Sequence, residues 1–313
     1  MKTRILVTGG AGFIGSAVAE KLAKNPDNFV VIVDNLQTGS LEKLPVASND
    51  SIKFIKADVN DFRDISSIFN AYRFSYVFHF AALVGVKRTL EYPVMVLHDI
   101  TGIKNILNLA KNSGVKRIYF SSSSEVYGEP VEFPQNEHTT PLNSRLPYAI
   151  VKNVGEAYLR AYKQEFDLDY TIFRFFNTYG PKQSKDFVMS KFINAALNNK
   201  DITIYGDGSQ SRTFCYIDDN VDACLSAYYN NQMINDVVNI GTDQEISILD
   251  LAHKIIEVCG SKSKIVHLPA LKEGDMTRRC PDNSKMKLLL NRPLTPIEQG
   301  IKILIESNQL IES

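Results

Sequence analysis

The chain has 313 residues, 44% hydrophobic and 22% charged, with 35 Lys and Arg set against 35 Asp and Glu. That length and balance describe an ordinary globular protein and argue against general attraction to nucleic acid or an anionic membrane, so any anion site must be local. No apolar run approaches the ~20 residues that cross a bilayer, and the basic start Met1–Arg4 leads into no signal-like apolar stretch. The four cysteines (Cys215, Cys224, Cys259, Cys280) form no C-x-x-C pair. The expectation is a cytoplasmic protein with free thiols and no metal.

In chain order, apolar runs without strict alternation predict strands at Arg4–Thr8, Phe29–Asp34, Ile52–Ala57, Tyr76–Phe80, Arg117–Ser121 and Tyr170–Phe175. Helical spacing separates them at Ile14–Lys24, Arg63–Ala71, Val94–Ser113 and Tyr148–Phe166. Strands alternating with helices imply an α/β fold, a Rossmann-type doubly wound parallel sheet. After Asn177 the pattern loosens into turn-rich stretches, with helices at Val188–Asn198, Asp219–Tyr229, Ile248–Cys259 and Ile297–Ser307. A first domain over 1–176 and a smaller, partly helical substrate-binding lobe over 177–313 are expected, with interleaved boundaries. Apolar residues beyond one face of Val94–Ser113, among them Ile103, Ile106, Leu107 and Leu109, suggest either a helix-bundle interface or a second core layer within the monomer.

Directly after the first strand stands Thr8-Gly9-Gly10-Ala11-Gly12-Phe13-Ile14-Gly15. Gly9 permits a tight turn, Gly12 lets the backbone approach a pyrophosphate, and Gly15 lets the helix lie close to the strand. The helix start at Phe13 and Ile14 offers free N–H groups to the anion. Asp34 ends the second strand with Asn35 beside it. A carboxylate there accepts hydrogen bonds from the adenosine ribose and repels a 2′-phosphate, favouring NAD over NADP, or else it caps the loop. Asp58, followed by Val59, is placed to bond the adenine amine or to cap a turn.

Tyr148 and Lys152 lie one helical turn apart on one face. A phenol of reference pKa near 10 needs help worth roughly 4 kcal/mol to act as a base at pH 7, and a neighbouring ammonium supplies part of it. The run Ser121–Ser124 leaves a buried strand at the end that faces the crevice of a doubly wound sheet, so a serine hydroxyl can bond the oxygen that Tyr148 deprotonates.

Together with "FHFAAL", "RFFNTYGP" and "YGDGSQSRTFCYIDD", these motifs resemble, in order and over nearly the whole chain, the extended short-chain dehydrogenase/reductase family that modifies nucleotide sugars. The resemblance implies Ser123, Tyr148 and Lys152 as the catalytic set, Ala81 and Ala82 lining NAD, and Asn177, Arg212 and Arg279, with Arg278 second, holding the nucleotide diphosphate. It also implies a homodimer through a helix bundle, and a 4-keto sugar as the common intermediate. Three residues bear on the fate of that intermediate. Glu125, two before Tyr127, resembles the decarboxylases and dehydratases; Ser124 lacks the acid that dehydration needs; and Arg145, three before Tyr148, resembles the decarboxylases. The segment "AALVGVKR" looks more like the epimerases. The expected reaction is decarboxylation of UDP-glucuronate to UDP-xylose, with a UDP-hexose 4-epimerase as the alternative, then a 4,6-dehydratase, and a non-catalytic NAD-binding module as a remote one.

Overall fold

A computed structural model describes residues 2–45, 51–269 and 278–307. The first unit comprises Met1–Gly128, Pro141–Phe175 and Ala223–Val238. Its strands are β1 (Thr3–Thr8), β2 (Asn28–Asp34), β3 (Ile52–Lys56), β4 (Tyr76–His79), β5 (Arg117–Ser123) and β6 (Asp169–Phe175). They run parallel in the order β6-β5-β4-β1-β2-β3. The chain therefore leaves β1 towards β2 on one side and returns to β4 on the other. That reversal opens a crevice at the strand ends, where ligands of doubly wound sheets sit.

The lack of alternation in the strand sequences has a direct cause: the sheet is buried on both faces. Leu6, Val31, Val33, Val77, Ile118, Phe120 and Ile172 share one core cluster with residues of the helices α2 (Phe62–Tyr72), α5 (Asp99–Ser113) and α6 (Pro147–Phe166). On β1 and β2 the intervening residues Ile5, Val7, Val30 and Ile32 are equally inaccessible. Beyond them Phe78 stacks on Tyr119 at 4.4 Å, and Tyr228, from the Ala223–Val238 segment, meets Phe78 and Tyr119 edge-on. The helix α1 (Phe13–Ala23) follows the glycine turn and packs on β2.

The structure corrects one sequence expectation, adds a strand, and decides between two readings of the apolar surplus. The single helix expected over Val94–Ser113 is broken at His98 into α4 (Pro93–Leu97) and α5, and α3 (Val86–Glu91) precedes it. Pro93 starts α4 because a proline lacks the N–H that the first helical position leaves unpaired anyway. A seventh strand, Asp236–Ile240, lies beside β6 at the edge of the sheet. Finally, Ile103, Ile106 and Leu107 are buried inside the first unit and Leu109 is half-buried, so their surplus is a second core layer. The exposed apolar side chains nearby belong instead to Tyr92, Val94, Met95 and Leu97.

The second unit comprises Glu129–Thr140, Phe176–Asp222 and Asn239–Ser313. Short strand pairs stitch its loops: Thr178–Tyr179 with Cys215–Tyr216, Ser211–Thr213 with Glu245–Ser247, and Ile202–Tyr205 with Ile265–Leu268. Pieces of two to four residues carry too little periodicity to be read from sequence. A helix at Ser284–Leu290 was likewise not expected. Among the described residues no helix is long and apolar enough to cross a membrane, no group of His, Cys, Asp and Glu is arranged to hold a metal ion, and all four cysteines are free.

Candidate active site

The glycine turn is built for close approach. Gly9 has a φ of +68°, and a Cβ there would stand 2.6 Å from the Ala81 backbone nitrogen. A Cβ on Gly15 would come within 2.2 Å of the Gly9 carbonyl oxygen. The Gly12 N–H is spent on Gly9 at 3.0 Å and the Ser16 N–H on Gly12 at 3.1 Å. The first-turn N–H groups of Phe13, Ile14 and Gly15 have no intrahelical acceptor, and Gly12 as N-cap brings no side chain to them. A cradle of backbone donors at a helix N-terminus is what a dinucleotide pyrophosphate requires.

Asp34 and Asp58 hold the next stretch. The Asp34 carboxylate accepts from the backbone N–H of Ala11 at 3.0 Å and of Leu36 at 2.8 Å, so it ties the loop after β2 back to the turn. Burial pushes its carboxyl above the ordinary value, against the opposing pull of those two N–H groups and Lys43. The Asn35 amide donates to Asp58 at 3.0 Å, and Asp58 also caps the Asn60 N–H at 2.8 Å. The two expected roles of each aspartate are thus compatible: capping fixes the carboxylate without consuming all its acceptor sites. Val59 is buried, while Ala81 and Ala82 are half-buried. A cavity of about 620 Å³ opens beside Asp58, Asn60, Leu83 and Asp99.

Tyr148 sits in the first turn of α6, and Lys152 is almost wholly buried one turn on. The Lys152 Nζ donates to the Ser121 carbonyl oxygen at 2.6 Å and lies 5.7 Å from the centre of the Tyr148 ring. Burial lowers the pKa of Lys152 from 10.5 to about 8, with the Asp99 carboxylate opposing the shift. Ser123, at the end of β5, caps a 3-10 turn at Ser124–Tyr127 by accepting the Glu125 N–H at 3.2 Å, and its side chain bonds the Tyr148 phenol. Ser124 is buried and Glu125 half-buried on that turn.

The phenol differs from the expectation in one respect. Its pKa is raised rather than lowered: burial is the main cause, followed by the Glu125 carboxylate, with Ser123 pulling the other way and Asp99 adding to the rise. A buried phenol loses more solvation on ionising than its surroundings return. Tyr148 therefore rests protonated in the chain alone.

Two groups escaped the sequence reading. His79 ends β4 with its Nδ1 2.8 Å from the Thr8 hydroxyl, which in turn accepts the Ala81 N–H at 3.3 Å. Its Nε2 is buried without a partner. Burial, aided by the charge of Lys152, lowers its pKa to about 3, so the ring is neutral. Asp99 accepts the Leu83 N–H at 2.7 Å. Its carboxyl is pushed up by burial, with that N–H, Lys152 and Asn60 opposing. The spacing Asp99, Ile103, Ile106, Ala110 would have revealed an acid on the buried face of a helix.

In the second unit the Asn177 amide donates to the Thr213 carbonyl oxygen at 3.2 Å, next to Arg212. Arg212 is half-buried and donates to the Ser211 carbonyl oxygen at 2.7 Å. Arg279 is buried. Arg278 is exposed, gives two hydrogen bonds to Glu245 at 2.7 and 2.5 Å, and lies 4.1 Å over the Phe133 ring. Its fork is already filled by a carboxylate. On the first unit Arg145 is exposed, and among the described residues it has no hydrogen bond or ion pair.

Known proteins carry the same plan. A model of the NAD dependent epimerase/dehydratase family matches residues 5–241. The chain is 37% identical to UDP-N-acetyl-alpha-D-glucosaminuronate decarboxylase of Bacillus cytotoxicus, covering 100% of both. It is 36% identical to a putative UDP-glucose 4-epimerase of Methanocaldococcus jannaschii, over 95% of this chain and 96% of that one. The crystal structure of UDP-glucose 4-epimerase from Thermotoga maritima with UDP-glucose superposes with a TM-score of 0.90 at 35% identity, covering 97% of this chain and 98% of the other. NAD is the cofactor, and the glycine turn and Asp34 have the chemistry to fit it. The chain belongs to the NAD dependent epimerase/dehydratase family and is an enzyme that carries out an NAD-dependent reaction on a nucleotide sugar.

Proposed function

We propose that this enzyme decarboxylates a UDP-hexuronate, UDP-glucuronate first among them, to a UDP-pentose. The observation that carries the reading is Glu125: its carboxylate is close enough to the Tyr148 phenol to oppose the ionisation of that group. An epimerase has no required use for an acid there. Arg145 supports it. The N–H groups of Asn143 and Ser144 bond the carbonyl oxygens of Tyr127 and Val126, each at 3.4 Å, so the segment leading to Arg145 is tied to the turn that bears Glu125. A free guanidinium suits a sugar carboxylate, which it can grip with two parallel bonds.

Tyr148, bonded to Ser123, takes the proton of the sugar 4-hydroxyl. Bound NAD would supply a reversible hydride acceptor for C4, and its positive ring would favour the phenolate that burial opposes. Lys152 holds a positive charge beside the Tyr148 ring. The 4-ketone stands β to the C6 carboxylate, so the C5–C6 bond breaks, carbon dioxide leaves, and the electron pair moves onto the C4 oxygen. Ser123 and Tyr148 bond that oxygen; Glu125 guides a proton to C5; and Tyr148 gives its proton back to O4 as C4 is reduced. Asn177, Arg212 and Arg279 are assigned to the nucleotide diphosphate, and Arg278 is not, because Glu245 occupies it.

The test is to incubate the protein and NAD with UDP-glucuronate, UDP-N-acetylglucosaminuronate and UDP-glucose, and to identify products by NMR. A pentose from either uronate supports the reading. A galacto-configured hexose from UDP-glucose, with both uronates untouched, overturns it in favour of a 4-epimerase. Replacing Glu125 by Ala should then abolish decarboxylation, whereas a 4-epimerase would keep most of its rate.

A further inference from the structure

Tyr148, Lys152 and Glu156 follow one another at intervals of four along α6, so they share a face. Glu156 is completely buried, an unusual place for a carboxylate. It accepts four hydrogen bonds: from the Ser122 hydroxyl at 2.7 Å, from Arg174 Nε at 2.8 Å and Nη2 at 2.7 Å, and from Arg160 Nη2 at 2.9 Å. Burial works to neutralise it, and the bonds of Arg174, with Ser122 and Arg160 behind, outweigh burial and keep it charged. Arg174, itself 1% exposed, spends its remaining Nη1 on the Tyr127 hydroxyl at 2.9 Å.

Each end of this chain of bonds lies next to a group the chemistry uses. Ser122 precedes Ser123 on β5 and pairs in register with Arg174 on β6. Tyr127 closes the turn that carries Ser124 and Glu125. The approach of α6 is also tight, since a Cβ on Gly155 would come within 2.4 Å of the Phe120 ring. A buried ion pair contributes little net stability compared with apolar residues of the same shape, and its best-attested value is in fixing register.

We propose that the Ser122–Glu156–Arg174–Tyr127 chain is a positioning device, which sets the helix bearing Tyr148 and Lys152 in register with the strand end and turn bearing Ser123 and Glu125. The proposal rests on proton transfer by Tyr148, as proposed above, but not on which sugar is used. Its residues touch no reacting atom. They act by holding the phenol, the serine hydroxyl and the glutamate at their working separations, where an error near 1 Å can cost ~100-fold in rate.

Two variants of the full-length, NAD-loaded enzyme test it: Tyr127→Phe, which removes one bond, and Glu156→Leu with Arg174→Met, which replaces the ion pair by apolar bulk and should preserve folding. Both are assayed with UDP-glucuronate and UDP-glucose, and the Tyr148 signal is followed by ¹³Cζ-tyrosine NMR, assigned by its loss in Tyr148→Phe. We expect kcat to fall at least ~10-fold for Tyr127→Phe and ~100-fold for the double variant. KM should stay within about two-fold, because the loss falls on the transition state. The Tyr148 signal should move in both variants. A folded variant with wild-type kcat and an unmoved Tyr148 signal would overturn the proposal, as would a loss of rate that only tracks loss of folded protein. If the wild-type chain turns over neither sugar, the assigned reaction fails, and the Tyr148 signal still decides the positioning role.

Discussion

Asp99 bears on both partners of the proposed catalytic pair. Its carboxylate raises the pKa of Lys152 against the burial that brings it down to about 8, and it opposes ionisation of Tyr148. Removing that charge should lower both values. The bell of kcat/KM against pH is therefore expected to move bodily to lower pH in Asp99→Asn, with the alkaline limb shifting because the ammonium is lost sooner. A pH–rate profile whose alkaline limb stays in place would contradict this. His79 gives a second residue-scale prediction, this time on stability. Its folded pKa of about 3 lies below its ordinary 6.5, so between those values the unfolded chain binds the extra proton. Stability is then lost as pH falls from ~6.5 towards ~3, by about 2 kcal/mol between pH 7 and pH 5. His79→Asn, which keeps a polar atom for Thr8, should lose about that much less over the same interval in urea denaturation. Equal losses in the two proteins would remove His79 from the account.

Among the elements, the turn between β1 and α1 is the least tolerant of change. Ala at position 9 needs a left-handed backbone, which costs an L-residue about 1–2 kcal/mol, and its methyl would press on the backbone of Ala81 rather than on a side chain that can swing away. Gly9→Ala is expected to weaken NAD binding roughly ten-fold or more, read by calorimetric titration; unchanged affinity would show that the turn is not the cradle. This turn and the helix with Tyr148 and Lys152 were legible in the sequence because their logic is local: a strand, a glycine pattern, a four-residue spacing. The strands β1 to β6 were legible for a related reason, since burial on both faces writes itself as an unbroken apolar run. Elsewhere the cause is non-local. Arg174, the buried partner of the helical Glu156, lies 18 residues away on β6, so a buried ion pair reads as two ordinary surface charges. Asp99 falls inside the helix expected over Val94–Ser113, and only the fold brings it near Lys152. The strand Asp236–Ile240 is five residues among turn formers, and its place is set by the neighbouring edge of β6.

For the whole molecule, the central claim is that one tyrosine removes and returns the O4 proton while C4 lends its hydride and C6 departs as carbon dioxide. That sequence leaves an isotopic signature. The C4 hydrogen never meets solvent, whereas C5 must take a new proton after the C5–C6 bond breaks. The decisive measurement is to run the reaction on UDP-glucuronate with NAD in D₂O and read the product by NMR. The expected product is a UDP-pentose that carries one deuterium at C5 and keeps protium at C4. Deuterium at C4, or a hexose product with no deuterium at all, would contradict it.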